Sequence, residues 1–208
     1  MGGEEGRAPR RAIRLTPALF KAADAGPVTL TEEAPLALTE ARGVLRMALH
    51  PPVPPAEAAV RPGCLVRTRD GRTCAVHPSP RPASGPTAEA GALDAWPYVS
   101  LSPDGAAVDV ALGRGNRFDR LLFYVDVAQG ATGLRELPAE AAFTAGPGRA
   151  WRVPLDPARA TAHAPVGACA VALLVPRPDG LELRREVRWY RAGWRTSCRR
   201  LLARDYLG

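Results

Sequence analysis

Between Val108 and Val127 the hydrophobic pattern changes its period, and the change points to a sheet protein. Val108, Val110 and Leu112 place their side chains on one face while Asp109 points to the other, the pattern of a strand with one wet side. After the connector Gly113-Arg114-Gly115-Asn116, the run Leu121-Leu122-Phe123-Tyr124-Val125 is apolar at every position. Such a run predicts a central strand buried on both faces.

Shorter segments on either side follow the same logic. Val28-Thr29-Leu30, Leu36-Ala37-Leu38 and Val44 to Leu49 predict strands, and the last stops at the proline-rich stretch after His50, which cannot continue a ladder. Residues 64–77 predict a hairpin with Asp70-Gly71 as a two-residue turn. That register pairs Arg67 with Cys74 and Cys64 with His77, and sends Cys64 and Cys74 to opposite faces. Trp96 to Leu101 predicts an edge strand; Ala150 to Leu155 and Ala168 to Val175 predict two more. The Pro178-Asp179-Gly180 turn then leads into Leu181 to Tyr190, where Leu181, Leu183, Val187 and Trp189 share a core face. Glu182, Arg184, Glu186 and Arg188 share the opposite, solvent face.

Helical periodicity is confined to the two ends. Thr16 as N-cap and Pro17 at the first helical position predict a short helix between Ile13 and Ala23. Near the C-terminus Cys198, Leu201, Leu202 and Tyr206 recur at helical spacing. Residues 1–11 have no periodicity and read as a disordered tail; residues 78–95, rich in Pro, Ala, Gly and Ser, read as a long surface loop, and Gln129 to Ala141 as another loop. The expected fold is mainly β: a two-sheet antiparallel β-sandwich with a short C-terminal α-helix, forming a single domain over residues 12–208.

Composition changes this picture little. A chain of 208 residues, 46% hydrophobic and 24% charged, is long enough for one sizeable core, and its 22 Pro and 20 Gly favour short strands joined by turns. No apolar run reaches the roughly 18 to 20 residues of a membrane span, and the initial MGGEEGRAPRR lacks an apolar signal core. A cytoplasmic protein with reduced thiols is expected. The net charge of +7 comes almost wholly from arginine, Lys21 being the only lysine. Arg-, Ala- and Pro-rich usage is also what GC-rich coding produces, so charge alone does not assign a partner.

Three kinds of chemistry can be sought in these residues. The arginines after residue 184 form a basic end, with Arg188, Arg191, Arg195, Arg199 and Arg200 as candidate contacts for a phosphoanion, nucleic acid or acidic partner, and with Trp189, Tyr190 and Trp194 as candidate stacking rings. The competing and favoured reading is that these are the solvated faces of a strand and a helix. A metal or thiol site would draw on Cys64, Cys74, Cys169, Cys198, His50, His77 and His163, but their spacing gives neither a zinc set nor a recognisable nucleophile and base. Gly113-Arg114-Gly115-Asn116 joins two strands and does not open a helix, so it is not a phosphate loop. An enzyme is not expected.

Several segments together resemble the TerD-like family of tellurium-resistance and stress-response domains of bacteria. Val108-Asp109-Val110 is similar to its V-D-L strand, Phe118 to Val125 (FDRLLFYV) to its V-D-R-I-V-F-V-V strand, Gly193-Trp194 to its Gly-Tyr pair, and Leu202 to Tyr206 (LARDY) to L-A-R-D-F. The resemblance implies a β-sandwich and calcium bound by two acidic clusters. Calcium requires six to eight oxygen ligands. Here the first cluster falls on Glu57 to Arg61 and retains Glu57 alone, with Arg61 in a ligand position; the second falls on Ser102 to Gly105 and retains Asp104 alone. We therefore expect a divergent member with lost or weakened calcium sites, of which Glu57 and Asp104 are remnants, and no cofactor. Its implied role is a non-enzymatic binding or scaffold domain for other stress-response proteins. The alternative is a basic nucleic-acid or phosphoanion binder using the arginine-rich C-terminal end.

Overall fold

The computed structural model describes residues 26–50, 60–78, 90–127, 140–146, 148–155, 166–191 and 198–208. They form thirteen strands and a terminal helix: β1 (Val28–Thr29), β2 (Leu36–Thr39), β3 (Val44–His50), β4 (Val60–Thr68), β5 (Thr73–Val76), β6 (Gly91–Ala92), β7 (Val99–Leu101), β8 (Ala107–Ala111), β9 (Phe118–Val127), β10 (Glu140–Ala145), β11 (Ala150–Pro154), β12 (Val166–Arg177), β13 (Gly180–Arg191) and α1 (Cys198–Leu207). One sheet runs β1-β11-β10-β3-β8-β7-β6 and the other β2-β13-β12-β9-β4-β5. β1 lies parallel to β11, and the other described pairings are antiparallel. The expected mainly-β sandwich with its C-terminal helix is the observed architecture.

The apolar run of β9 accounts for the layering. It lies between β4 and β12, and its side chains alternate between two cores. Leu121, Phe123 and Val125 point between the sheets, where they join Leu45, Met47, Val108, Val110, Phe143 and Leu183. Leu122 and Tyr124 point outward to meet Leu65, Ala168, Ala170, Leu173 and Tyr190, and α1 covers them with Cys198, Leu202 and Tyr206. The helix thus makes a third layer over one sheet. Burying a large aliphatic or aromatic side chain contributes about 1.5–3 kcal/mol, so this outer core adds real stability beyond the sandwich itself.

The faces expected for the last strand are those observed, with one refinement. Leu181 and Leu183 are buried between the sheets, and Val187 and Trp189 pack against the same core. The opposite face is only partly solvent, because α1 lies across it: Tyr206 donates to Glu186 at 3.0 Å and Tyr190 donates to Asp205 at 3.0 Å. Val187 has φ +37 where β12 and β13 shift register.

Elsewhere the structure corrects the expected boundaries and registers. The β4–β5 loop has three residues, not two: Gly71 N–H donates to Thr68 O, Thr68 N–H donates to Arg72 O, both at 2.9 Å, and Gly71 takes φ +83. Asp70 draws the loop out by accepting from the Thr68 hydroxyl and the Arg72 amide. The register therefore moves by one, with Cys64 opposite Val76 and Val66 opposite Cys74. Cys64 and Cys74 share the inner face, and His77 lies on the outer one. Both cysteines are free thiols. The Gly113–Asn116 connector lies within a 3-10 turn, Leu112–Arg117. β7 begins only at Val99, β6 lies within the expected 78–95 loop, and β10 starts where a loop was expected to end. The expected tail at 1–11 and helix at 13–23 lie outside the described residues.

Candidate functional site

Of the two carboxylates that the resemblance singles out, Asp104 lies among the described residues. Glu57 lies outside the described residues. Asp104 sits in the exposed β7–β8 turn, where its carboxylate accepts from the Ser102 hydroxyl and, at 3.0 Å, from the Ala106 amide. These hydrogen bonds, the Ser102 hydroxyl first, hold its carboxyl below the usual range. Asp104 here acts as a turn cap. Among the described residues no cluster of three or more His, Cys, Asp or Glu side chains could hold a metal ion.

The basic end resolves into pairs. Arg184 reaches Glu186 at 2.8 Å, Arg188 reaches Asp205 at 3.6 Å, and Arg204 reaches the same carboxylate at 3.0 Å. Arg188 also lies over the Tyr190 ring, 5.2 Å from its centroid. Arg191 and Arg200 are exposed, and Arg195 lies outside the described residues. Trp189 packs toward the inter-sheet core and Tyr190 under the helix, so neither ring is displayed for stacking.

Arg199 has a different role, one that sequence spacing did not reveal. From the first turn of α1 a guanidinium N–H donates to His77 Nε2, while His77 Nδ1 meets Pro78 O at 3.0 Å. Asp126 and Tyr124 lie in the same neighbourhood. Burial raises the Asp126 carboxyl above its ordinary range, although Arg199, His77 and Arg61 pull the other way. The Tyr124 hydroxyl is buried without a hydrogen-bond partner, and burial pushes its ionisation upward. This polar cluster joins the start of the helix to the ends of β5 and β9.

The thiols give it no nucleophile. Burial raises the Cys64 thiol, and Cys64 faces away from His77. Burial likewise raises Cys198, whose Sγ–H donates to Tyr190 O at 3.7 Å, and pushes Cys169 up to about 12. Thiols held protonated are poor nucleophiles and poor metal ligands.

A second basic surface lies at the hairpin end of the sandwich, where three connections converge. Arg69 N–H donates to Arg117 O at 3.0 Å and Arg69 Nε–H to Phe118 O at 3.2 Å, tying the β4–β5 turn to the 3-10 turn. Arg72 lies over the Trp96 ring at 4.1 Å from its centroid, and Arg114 over the Tyr98 ring at 5.6 Å. Tyr98, at φ +61, is fixed by edge contact with Phe118 at 6.3 Å and by accepting from the Ala111 amide at 3.0 Å. Arg69, Arg72, Arg114 and Arg117 are exposed, and none makes an ion pair with a described carboxylate. No single segment signals this surface, because its four arginines come from two separate connections and its rings from a third.

Among the described residues no helix is long and apolar enough to cross a membrane. No protein-family model, no curated protein and no solved structure matches the chain.

Proposed function

We propose that this chain is a non-catalytic, TerD-like binding or scaffold domain of a bacterial tellurium-resistance or stress-response system, acting in the cytoplasm through protein partners and with calcium binding lost or weakened. The observation that carries this reading is where the resembling segments fall. Val108-Asp109-Val110 lies on β8, Phe118 to Val125 on β9, and Leu202 to Tyr206 on α1, so the resemblance follows the framework of the fold. Asp109 is held there by a two-pronged bond from Arg46, with both N–H donors 2.8 Å from the carboxylate oxygens. Asp104, by contrast, caps a turn, and the nearby Arg46 adds positive charge to its surroundings.

Calorimetric titration of the full chain with calcium tests the reading. No binding tighter than millimolar is expected. A micromolar site whose heat disappears in Glu57→Gln or Asp104→Asn would overturn it. Arg184 meets Glu186, Arg188 and Arg204 share Asp205, and Arg199 meets His77, so these four lend the anion-binding alternative less support than their clustering in the sequence.

A further inference from the structure

We propose that the hairpin end of the sandwich binds single-stranded nucleic acid, with Arg72 over Trp96 and Arg114 over Tyr98 as two guanidiniums held by cation–π contact, and Arg69 and Arg117 beside them. This surface is distinct from the C-terminal arginines, and the proposal does not depend on the scaffold reading.

The first argument is charge. Across the three connections, Arg67, Arg69, Arg72, Arg114, Arg117 and Arg120 stand against Asp70, Asp94 and Asp119. Two of those arginines, Arg67 and Arg120, are paired with Asp119. The Asp70 carboxylate already accepts from the Thr68 hydroxyl and the Arg72 amide within its own turn. Arg69, Arg114 and Arg117 therefore meet no carboxylate among the described residues within 4.0 Å, and Arg72 acts only on the Asp70 of its own turn, so that with Asp94 counted the three connections keep a net positive charge. Elsewhere the pattern is different: Arg42, Arg46, Arg149, Arg152, Arg177 and Arg184 each meet a carboxylate within 4.0 Å. A local excess of unpaired guanidiniums calls for an external anion, and their forked donors suit phosphate oxygens.

The second argument is geometry. A guanidinium lying over an aromatic ring keeps its N–H donors at the edge and its outer face free, and the ring removes part of the rotamer entropy that binding would otherwise cost. Trp96 and Tyr98 are themselves fixed, being packed against the inter-sheet core. The result is a pair of planar cations held near fixed rings, at 4.1 and 5.6 Å from their centroids. A phosphate can meet the donor edge while an unpaired base lies on the outer plane. A duplex keeps its bases stacked inside and would use only the charge. An acidic peptide would satisfy the charge but has no ring for the plane. A single strand uses both properties.

Fluorescence anisotropy of a labelled oligothymidylate of about a dozen nucleotides, titrated with the full chain, tests the proposal. With three or four phosphates contacted, affinity should fall roughly 20- to 50-fold between about 50 and about 200 mM salt. In Arg72→Gln/Arg114→Gln, whose altered side chains are exposed, that salt effect should shrink to roughly 3- to 7-fold, because about two contacts are lost. Arg72→Lys/Arg114→Lys keeps the charge and loses the plane, so it should keep the salt dependence while binding more weakly. Arg204→Gln, on the C-terminal helix and paired with Asp205, should bind like the wild type. Absence of binding at the lower salt would overturn the proposal, as would equal loss in Arg204→Gln, wild-type affinity in the lysine variant, or equal binding of a duplex of the same length. Displacement by polyglutamate as effective as by unlabelled oligonucleotide would identify an acidic polypeptide as the occupant and overturn it too.

Discussion

The ring of Tyr124 lies flat across Gly63 on the neighbouring strand: a methyl group at residue 63 would stand 2.5 Å from Tyr124 Cζ and 2.7 Å from its hydroxyl oxygen. Glycine is required here by close approach and not by backbone conformation. Gly63→Ala should destabilise the fold by about 1–3 kcal/mol through overpacking, measurable as a lower urea midpoint with unchanged slope. Tyr124→Phe should act in the opposite direction, gaining about 1 kcal/mol by removing a buried hydroxyl that has no partner. A destabilised Phe variant would show that the hydroxyl has a partner after all.

Two carboxylates of the helix layer should give opposite pH signatures. The Arg204 guanidinium, and then the Tyr190 hydroxyl, hold Asp205 below its ordinary value, so its contribution is present above about pH 4 and lost as pH falls through the depressed folded value. Asp205→Asn should be less stable than wild type near neutrality, and the difference should vanish in acid. Asp126 is raised by burial, so its contribution is full below about pH 4 and is lost as pH rises through the raised folded value. Asp126→Asn should therefore gain stability near neutrality and nothing in acid. Thermal midpoints of the three proteins across the acid range test both signs.

Leu202 is the fully buried apolar anchor of α1. Leu202→Ala should cost about 2–5 kcal/mol and loosen the helix from its sheet. Because the surface beneath includes Leu65, Leu122 and Tyr124, the variant should bind a hydrophobic dye at denaturant concentrations where the wild type does not. Equal dye binding by the two would mean that the outer core does not depend on this anchor.

Alkylation by iodoacetamide should follow burial. Cys64 and Cys169 are fully buried with raised thiols, and Cys74 is the more accessible member of the inner pair. Mass mapping should find Cys74 modified before Cys64 or Cys169, and all of them modified rapidly in denaturant. Rapid native alkylation of Cys169 would contradict its placement.

The parts of the fold that could be read in advance are those in which one residue pattern has one physical solution. The unbroken apolar run at 121–125 could only be covered on both sides, and the spacing of Cys198, Leu202 and Tyr206 supplied a helix to do part of that covering. The hairpin register was lost to a side chain. Asp-Gly is the common signal for a two-residue turn, but Thr68 and Asp70 bond across the loop and stabilise a three-residue one, which exchanges the faces of Cys74 and His77. β10 was missed because Glu140 to Ala145 is rich in alanine and carries weak strand propensity; it is a strand because β3 and β11 flank it. The candidate surface at the hairpin end was invisible for a related reason, since Arg72 and Trp96 meet only after β5 and β7 have been brought together. Linear clustering of arginines marked the C-terminal end instead, where Arg188 and Arg204 meet Asp205 and Arg184 meets Glu186.

The larger sheet ends on both sides in strands of two residues, β1 and β6. A neighbouring molecule seeking to extend that sheet would find only a couple of free amides at either margin, and the next strand inward, β11, closes with Pro154, which has no N–H to offer. Among the described residues, strand addition to this larger sheet is thus poorly templated at both selvedges.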